Sequence, residues 1–224
     1  MIKYLNIHYW LRKLLVNKFV SKNLSKKLKN KIIFNSIYKS NYWNKSKNFN
    51  PNFQSYSGPG SIPNSKQTNN LITNLEKFFL KNNIKKILDA PCGDCAWIEG
   101  LFKMNIEYTG IDIVNELILK NKKKFKKNQK VNFFCEDLTE YNKFDNYDFI
   151  LLRDFFIHLP IENIQNILNN LKKSNCKFYA FNNYEGIKIN KEISTGEHRK
   201  INLMEKPFSL EQPFSKIQEV KNDN

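Results

Sequence analysis

The chain has 224 residues, of which 37 are basic and 21 acidic, and its formal net charge at pH 7 is +16. A hydrophobic share of 41%, with 14% aromatic residues, excludes a disordered chain and is typical of one globular domain with extensions. No apolar run is long enough to span a membrane, and the N-terminus lacks the apolar core and cleavage site of a signal peptide.

The strong positive charge points to two kinds of partner, nucleic acids and anionic membranes. Lysine supplies nearly all of this charge, since only Arg12, Arg153 and Arg199 are arginines. Recognition of phosphates and bases usually recruits the planar fork of arginine. A composition rich in Lys and Asn is also typical of an AT-rich genome. Nucleic acid therefore stays an alternative partner that the composition does not favour.

The four cysteines bear on redox chemistry and on metal binding. Cys135 and Cys176 lie in apolar stretches, so we expect them to be buried and reduced, as in the cytoplasm, which is the predicted location. Cys92 and Cys95 form one Cys-x-x-Cys pair before a predicted helix, which could be a redox pair. Because no second pair exists, no zinc site or other metal site is predicted.

The first part of the chain reads as an extension. Residues 1–40 alternate basic and apolar side chains with a rough helical period. This pattern favours a helical segment packed over the main domain, and a helix lying on a membrane surface is the alternative. Residues 41–70 are rich in Asn, Ser, Gly and Pro and are predicted to be mostly loop.

From residue 71 onward the apolar pattern predicts helices that alternate with strands. The predicted helices span residues 71–80, 96–104, 115–125 and 160–171. The predicted strands span residues 84–89, 107–113, 131–135, 147–152 and 177–181. Such alternation predicts a doubly wound, mostly parallel sheet with right-handed crossovers, which is an α/β fold.

Polar residues stand at the carboxyl ends of the first four predicted strands. They are Asp89, Asp112, the pair Glu136-Asp137 and the pair Arg153-Asp154. Ligands of open α/β sheets bind outside this edge, and an acid at the end of the second strand is suited to ribose hydroxyls. A glycine turn after the first strand would let backbone N–H groups approach a nucleotide-like cofactor.

At these residues the chain resembles a known family. The sequence Asp-Ala-Pro-Cys-Gly at 89–93 is similar to the first motif of class I S-adenosylmethionine-dependent methyltransferases. A narrower group of small bacterial-type methyltransferases is closer. The stretches that resemble it are 57–61 with Thr68, 89–94 with Trp97, 153–154 with 158–159, and 194–208.

The chain departs from the family pattern at several positions. Pro91 and Cys95 stand where glycines are common in the wider class. Within the narrower group, Cys95 replaces an aromatic residue and His198 a tryptophan. The family's last strand is expected to fall outside the chain, which would leave one edge of the sheet open.

The resemblance implies an organisation and an activity. Residues 1–55 would be a basic helical extension, 56–185 a Rossmann-like core that binds S-adenosylmethionine, and 186–224 a segment on the substrate side. The implied function is methyl transfer to a small hydroxyl or sugar-type acceptor. An RNA or DNA methyltransferase and a methyltransferase-like binding protein without catalysis remain alternatives.

The resemblance also implies which residues contact the cofactor. Asp89 would orient its ammonium group, Asp112 would hold the ribose, and Asp137 would accept from the adenine amino group. Ile113 and Leu138 would pack against the adenine ring. A plain turn or helix-capping role is the alternative for Asp137. The full expected set is Asp89, Pro91, Cys92, Gly93, Asp112, Ile113, Asp137, Leu138 and Arg153.

Catalysis is expected at the end of the fourth strand. His158 titrates near neutrality and is the predicted base, with Asp154 orienting its ring. The alternative for His158 is a cap on the helix that follows. Arg153 and Arg199 are predicted to clamp the acceptor, with His198 beside them as residues 194–208 close over it.

Overall fold

The computed structural model describes residues 24–44 and 55–219. Its strands form a five-stranded sheet in the order β3-β2-β1-β4-β5, and all neighbours are parallel. The strands are β1 (Lys86–Asp89), β2 (Glu107–Asp112), β3 (Val131–Cys135), β4 (Phe149–Leu152) and β5 (Phe178–Phe181). The predicted doubly wound, parallel α/β fold is thereby confirmed.

Helices cover both faces of the sheet. They are α1 (Lys26–Lys39), α2 (Lys66–Asn82), α3 (Asn115–Lys124) and α4 (Ile161–Lys172). Short 3₁₀ helices span Tyr42–Asn44, Pro59–Ser61, Ile98–Met104 and Phe156–His158. Helix α1 belongs to the predicted extension and packs on the sheet. The alternative of a helix on a membrane surface concerns residues 1–40, of which 1–23 lie outside the described residues, and the boundaries at 56 and 186 stay predictions.

The core consists of two apolar layers, one on each face of the sheet. Alternate strand residues point to opposite faces, so Leu88 and Ile150 pack on the side of α1 and α4. Their neighbours Ile87 and Phe149 pack on the side of α2 and α3. Helix α1 contributes buried apolar residues of its own, including Ile37. The N-terminal helix is therefore an integral part of one layer.

Several predicted boundaries differ from the observed ones, and side-chain hydrogen bonds explain two of them. Helix α2 begins five residues before the predicted start at residue 71, because the Ser65 side chain accepts the N–H of Thr68 and the first turn is polar. Strand β1 begins two residues late, since the Asp148 carboxylate accepts the N–H groups of Lys85 and Lys86. The predicted helix over 96–104 is a 3₁₀ helix.

The chain after β5 forms no further strand or helix within the described residues, which end at Glu219. It nevertheless returns to the sheet. The ring of Phe214 lies 6.1 Å from that of Phe178 in β5, and Ile217 packs on the α2 side of the core. Asn70 of α2 donates to the carbonyl of Gln218 at 3.0 Å. The tail thus reaches the first turns of α2, near the carboxyl edge of the sheet.

We expect Gly110→Ala to destabilise the fold, because a Cβ there would lie 2.7 Å from the Phe133 ring and 3.0 Å from Cys92 Sγ. Overpacking of this kind costs about 1–3 kcal/mol. Gly186→Ala is the matched control, since nothing lies within 4 Å of its added Cβ. Urea unfolding of both variants measures the difference, and equal midpoints would contradict the tight contact.

Candidate active site

The turn after β1 depends on a glycine in the left-handed region. Gly93 has φ +54°, and a Cβ at this position would lie 2.2 Å from Ser57 Oγ. Its N–H donates to Asp112 Oδ2 at 3.0 Å, and its carbonyl accepts from Asn121 Nδ2 at 2.9 Å. The end of β2 and helix α3 are therefore both held against this turn.

Asp94 fastens a second loop onto the same turn. Its carboxylate accepts from Ser55 Oγ at 2.8 and 2.9 Å and from the N–H of Tyr56 at 2.7 Å. Ser57 Oγ donates to the same group at 3.3 Å. The family-like stretch 57–61 is thus held across the glycine turn by one carboxylate. The sequence identifies both stretches as motifs but does not predict that they contact each other.

Two buried carboxylates lie at the ends of β1 and β2. Asp89 is 2% exposed and accepts from the Tyr108 hydroxyl at 2.7 Å, and burial raises its pKa to about 7. Asp112 accepts the N–H groups of Gly93 and Val114, and burial raises its pKa to about 6. Both carboxylates are costly to ionise here, which favours a cation or hydroxyl group as partner.

A cavity of about 40 Å³ lies at the carboxyl edge of the sheet. Its wall on the strand side contains seven of the predicted site residues, which are Pro91, Asp112, Ile113, Asp137, Leu138, Asp154 and His158. The facing wall comes from α1 and the following turn, through Phe34, Tyr38 and Trp43. The structure therefore gathers residues from four strand ends around one space.

The facing wall is the part of the site that sequence reasoning missed. Asn30 of α1 donates to Asp137 Oδ2 at 3.0 Å and to Thr139 Oγ1 at 3.1 Å. The Trp43 ring stacks on His158 with centroids 4.9 Å apart. Helical periodicity marks an apolar face of α1 but does not reveal where that face packs, so the sequence held no signal for these contacts.

His158 does not occupy the N-cap position of helix α4, which is Pro160. The Nδ1 atom of His158 instead lies 2.8 Å from the carbonyl oxygen of Glu197. A carbonyl only accepts, so Nδ1 carries a proton, and in the neutral ring Nε2 carries the lone pair. The Glu197 carbonyl is thus one group that orients the imidazole, and the orienting role of Asp154 stays a prediction.

Asp154 lines the cavity and contacts Arg153 through one of its carboxylate oxygens. It has φ +52°, a strained conformation for a residue other than glycine, and its Oδ2 lies 3.1 Å from Arg153 Nη1. Its N–H donates to Asn182 Oδ1 at 2.6 Å. Burial is the largest cause that raises the Asp154 pKa, whereas Arg153 opposes this shift.

Arg153 is buried, and each of its three guanidinium nitrogens has a partner. It lies 5.0 Å over the Trp97 ring, and Nη2 donates to the carbonyl of Gly60 at 2.9 Å. Nε and Nη2 donate to the two carboxylate oxygens of Glu219, each at 3.0 Å. The sequence predicts no role for Glu219, because Glu219 and Arg153 lie 66 residues apart and no pattern along the chain connects them.

The remaining predicted residues lie away from the cavity wall. Cys92 and Gly93 form the turn behind it. Arg199 is buried in the tail, where it donates to the carbonyls of Lys191, Phe156 and Leu159 at 2.7–2.9 Å. Arg199 therefore fastens the tail to the segment around His158, and this geometry leaves it no role as an acceptor clamp. The His198 ring is 5.6 Å from the His158 ring.

The cysteines are free thiols. Burial raises the pKa of Cys92 and of Cys95, which is the reverse of what a redox nucleophile needs. Cys135 was expected to be buried but is half-exposed, because it ends β3 at the edge of the sheet. These environments argue against the redox alternative.

Metal sites and membrane-spanning helices can be assessed for residues 24–44 and 55–219. Within these ranges no three His, Cys, Asp or Glu side chains come together as a metal site. Over the same part of the chain, no helix combines the length and apolar character that crossing a membrane requires.

Residues 88–175, from β1 to the loop before β5, match a protein family described as "Methyltransferase domain". The segment is therefore similar to known methyltransferase domains. It contains the ends of β1 to β4 and therefore the strand side of the cavity. No curated protein matches the sequence.

Solved structures resemble parts of the chain at low identity. The methyltransferase domain of bacterial CtHen1 is 20% identical over 48% of this chain and 61% of that chain, with TM-score 0.43. A methyltransferase from Clostridium acetobutylicum ATCC 824 is 17% identical over 52% and 51%, with TM-score 0.45. Magnesium protoporphyrin IX methyltransferase from Synechocystis PCC 6803 is 15% identical over 67% and 72%, with TM-score 0.46. The chain thus spans about three fifths of the first of these.

The residues of segment 88–175 fit S-adenosylmethionine in their chemistry. The cofactor carries sulfonium and ammonium cations, and Asp89 and Asp112 are buried carboxylates whose charge those cations would offset. Ile113 and Leu138 offer apolar surface for a flat ring. Pockets for molecules of this size occupy about 300–1,000 Å³, whereas the cavity in this structure has a volume of about 40 Å³.

Asp89→Asn should change stability and cofactor affinity in opposite directions. The Asp89 pKa rises from 3.8 in the unfolded chain to about 7 in the fold, so its contribution is lost as pH rises through 7. An asparagine does not ionise, so the variant without cofactor should be more stable than the wild type at pH 8, by up to about 4 kcal/mol. Its binding of S-adenosylmethionine should be weaker, because the negative charge is lost. Urea unfolding at pH 5 and 8 and calorimetry test this, and an unchanged pH dependence of stability would contradict it.

Arg199→Lys should lower stability, because a lysine ammonium reaches fewer of the three carbonyls that the guanidinium satisfies. We expect a loss of about 1–3 kcal/mol from unsatisfied buried carbonyls. Thermal unfolding measures this loss, with Lys200→Arg as a control at the exposed neighbouring position. An unchanged melting temperature would show that the carbonyl contacts do not hold the tail.

Proposed function

We propose that the protein transfers the methyl group of S-adenosylmethionine to a hydroxyl group of a small acceptor. The observation that carries this proposal is the gathering of acidic and apolar residues from consecutive strand ends around one cavity in a methyltransferase domain. Bound there, the cofactor supplies an activated methyl group on a sulfonium sulfur. The chain itself has to bind the two molecules in line and remove a proton.

Cofactor binding is assigned to the ends of β1, β2 and β3. In this proposal Asp112 accepts from ribose hydroxyls through the lone pairs that its two backbone donors leave unused. The turn formed by Pro91, Cys92 and Gly93 faces the methionine part, and Asp89 lies behind it with its negative charge. Asp137 faces the adenine amino group in place of Asn30, which now donates to it.

Proton removal is assigned to His158. The Glu197 carbonyl fixes the protonated nitrogen at Nδ1, so Nε2 is the atom that takes the acceptor's proton. The Trp43 ring stacked on the imidazole limits the approach of water and holds its orientation. Asp154, on the same wall, accepts a hydrogen bond from the acceptor and orients it.

A second candidate function is methylation of RNA or DNA. It is supported by a groove of about 330 Å³ between α3 and β3, which contains Lys122, Lys126 and the aromatic Phe134. Bases stack on exposed aromatic rings beside basic side chains. Binding of a single-stranded oligonucleotide that falls steeply with salt would favour this candidate.

His158→Ala should reduce methyl transfer by about 10²–10⁴-fold while leaving the affinity for S-adenosylmethionine unchanged. The reason is that the imidazole handles the acceptor's proton and makes no assigned contact with the cofactor. Single-turnover assays over a panel of hydroxylated small molecules, paired with calorimetry, measure the two quantities. Full turnover in the variant would remove His158 from catalysis, and cofactor binding without turnover in the wild type would favour a binding protein.

A further inference from the structure

The carboxylate of Glu219 is the centre of a network that joins four parts of the fold. It accepts both Nε and Nη2 of Arg153 at the end of β4, each at 3.0 Å. It also accepts from Gln67 Nε2 at 2.5 Å, in the first turn of α2, and from Asn182 Nδ2 at 3.2 Å, just after β5. Four hydrogen bonds therefore connect this one carboxylate of the tail to β4, to α2 and to the segment after β5.

The same network reaches Asp154 by two routes. Asn182, which donates to Glu219, accepts the N–H of Asp154 through its Oδ1 atom. Arg153, which donates twice to Glu219, lies 3.1 Å from Asp154 Oδ2 through Nη1. The backbone of Asp154 is held in its left-handed conformation at this point, on the cavity wall.

Glu219 and Asp154 compete for one cation. The Arg153 guanidinium is 6% exposed, and Glu219 occupies its Nε–Nη2 edge, the side-on geometry that a carboxylate prefers. Asp154 receives the remaining Nη1 contact alone. Without the charge of Glu219, the whole positive charge of Arg153 would act on Asp154 and draw its carboxylate inward.

We propose that Glu219 is a positioning residue that, by neutralising Arg153, keeps the Asp154 carboxylate directed to the acceptor side of the cavity. The proposal rests on the proposed function for the identity of that side. Its structural part, the dependence of Asp154 on Glu219, is independent of any methyl acceptor.

The electrostatic surroundings of Asp154 give the proposal a measurable sign. The charged and titratable groups that act on it are Arg153 on β4, His198 and Glu219 in the tail, and Tyr184 after β5, with His158 on the same wall. Burial and Glu219 raise the Asp154 pKa, whereas Arg153 and His198 lower it. Replacing Glu219 by a neutral isostere therefore lowers the Asp154 pKa.

The test is a ¹³C NMR titration of the aspartate carboxyl carbons in the full chain, with the Asp154 signal assigned through Asp154→Asn. In Glu219→Gln we expect the Asp154 titration to move to lower pH. Glu219→Asp keeps the charge and should restore the wild-type curve. Glu211→Gln is the matched control, since it removes the charge of an exposed glutamate from the same tail.

An unchanged Asp154 titration in Glu219→Gln, with a lower melting temperature, would show that Glu219 only anchors the tail and would overturn the proposal. If Glu219→Gln does not fold, Glu219→Ala removes the same charge, and the Asp154 titration should again move to lower pH. For an acceptor that supports turnover, Glu219→Gln should raise its KM at least tenfold with cofactor affinity unchanged. A shifted titration without any turnover in the wild type would leave Asp154 positioning intact and refute the proposed function alone.

Discussion

The left-handed turn at Gly93 is the constraint on which the rest of the site depends. A Cβ at residue 93 would collide with Ser57. Because Gly93 has none, the loop at 55–61 can lie against the turn that follows β1. The Gly93 N–H is bound by Asp112 and its carbonyl by Asn121, so β2 and α3 take their positions from the same residue. Asp94 then closes the loop over the turn. One backbone conformation thereby sets the relative positions of four segments that line or support the cavity.

Charge at this edge runs against the charge of the whole protein. The chain carries +16, yet the carboxyl ends of the strands present buried carboxylates, of which Asp89 and Asp112 have raised pKa values. Buried Arg153 is balanced by two acids, Asp154 and Glu219. Ionised groups in such surroundings cost free energy that the apo fold does not recover. A cationic cofactor bound beside these carboxylates would offset this cost.

The fold followed from the sequence because its signals are local. Apolar runs mark strands, and alternation with helices leaves few topologies, so the sheet and the acids at its edge could be placed from periodicity and the strand-end rule. Element starts were misplaced where side chains replaced backbone partners, as Ser65 and Asp148 do. The contacts of Trp43 with His158, of Arg199 with Phe156 and of Glu219 with Arg153 could not be predicted, since these residues lie 115, 43 and 66 positions apart. No pattern along the chain records which of many polar residues meet across such separations.

Helix α1 is at once part of the core and a wall of the cavity. Its residue Ile37 is buried in the same layer as the sheet, while Phe34 and Tyr38 face the space that a cofactor would occupy. Any molecule that has to move this helix must overcome the free energy that holds it on the sheet. Each 1.4 kcal/mol or so of that free energy weakens the affinity about tenfold. For a cofactor that displaces α1, a substitution that loosens the helix without touching the cavity would strengthen binding while lowering the melting temperature. The contacts that stabilise this layer of the core would then also oppose the entry of the cofactor.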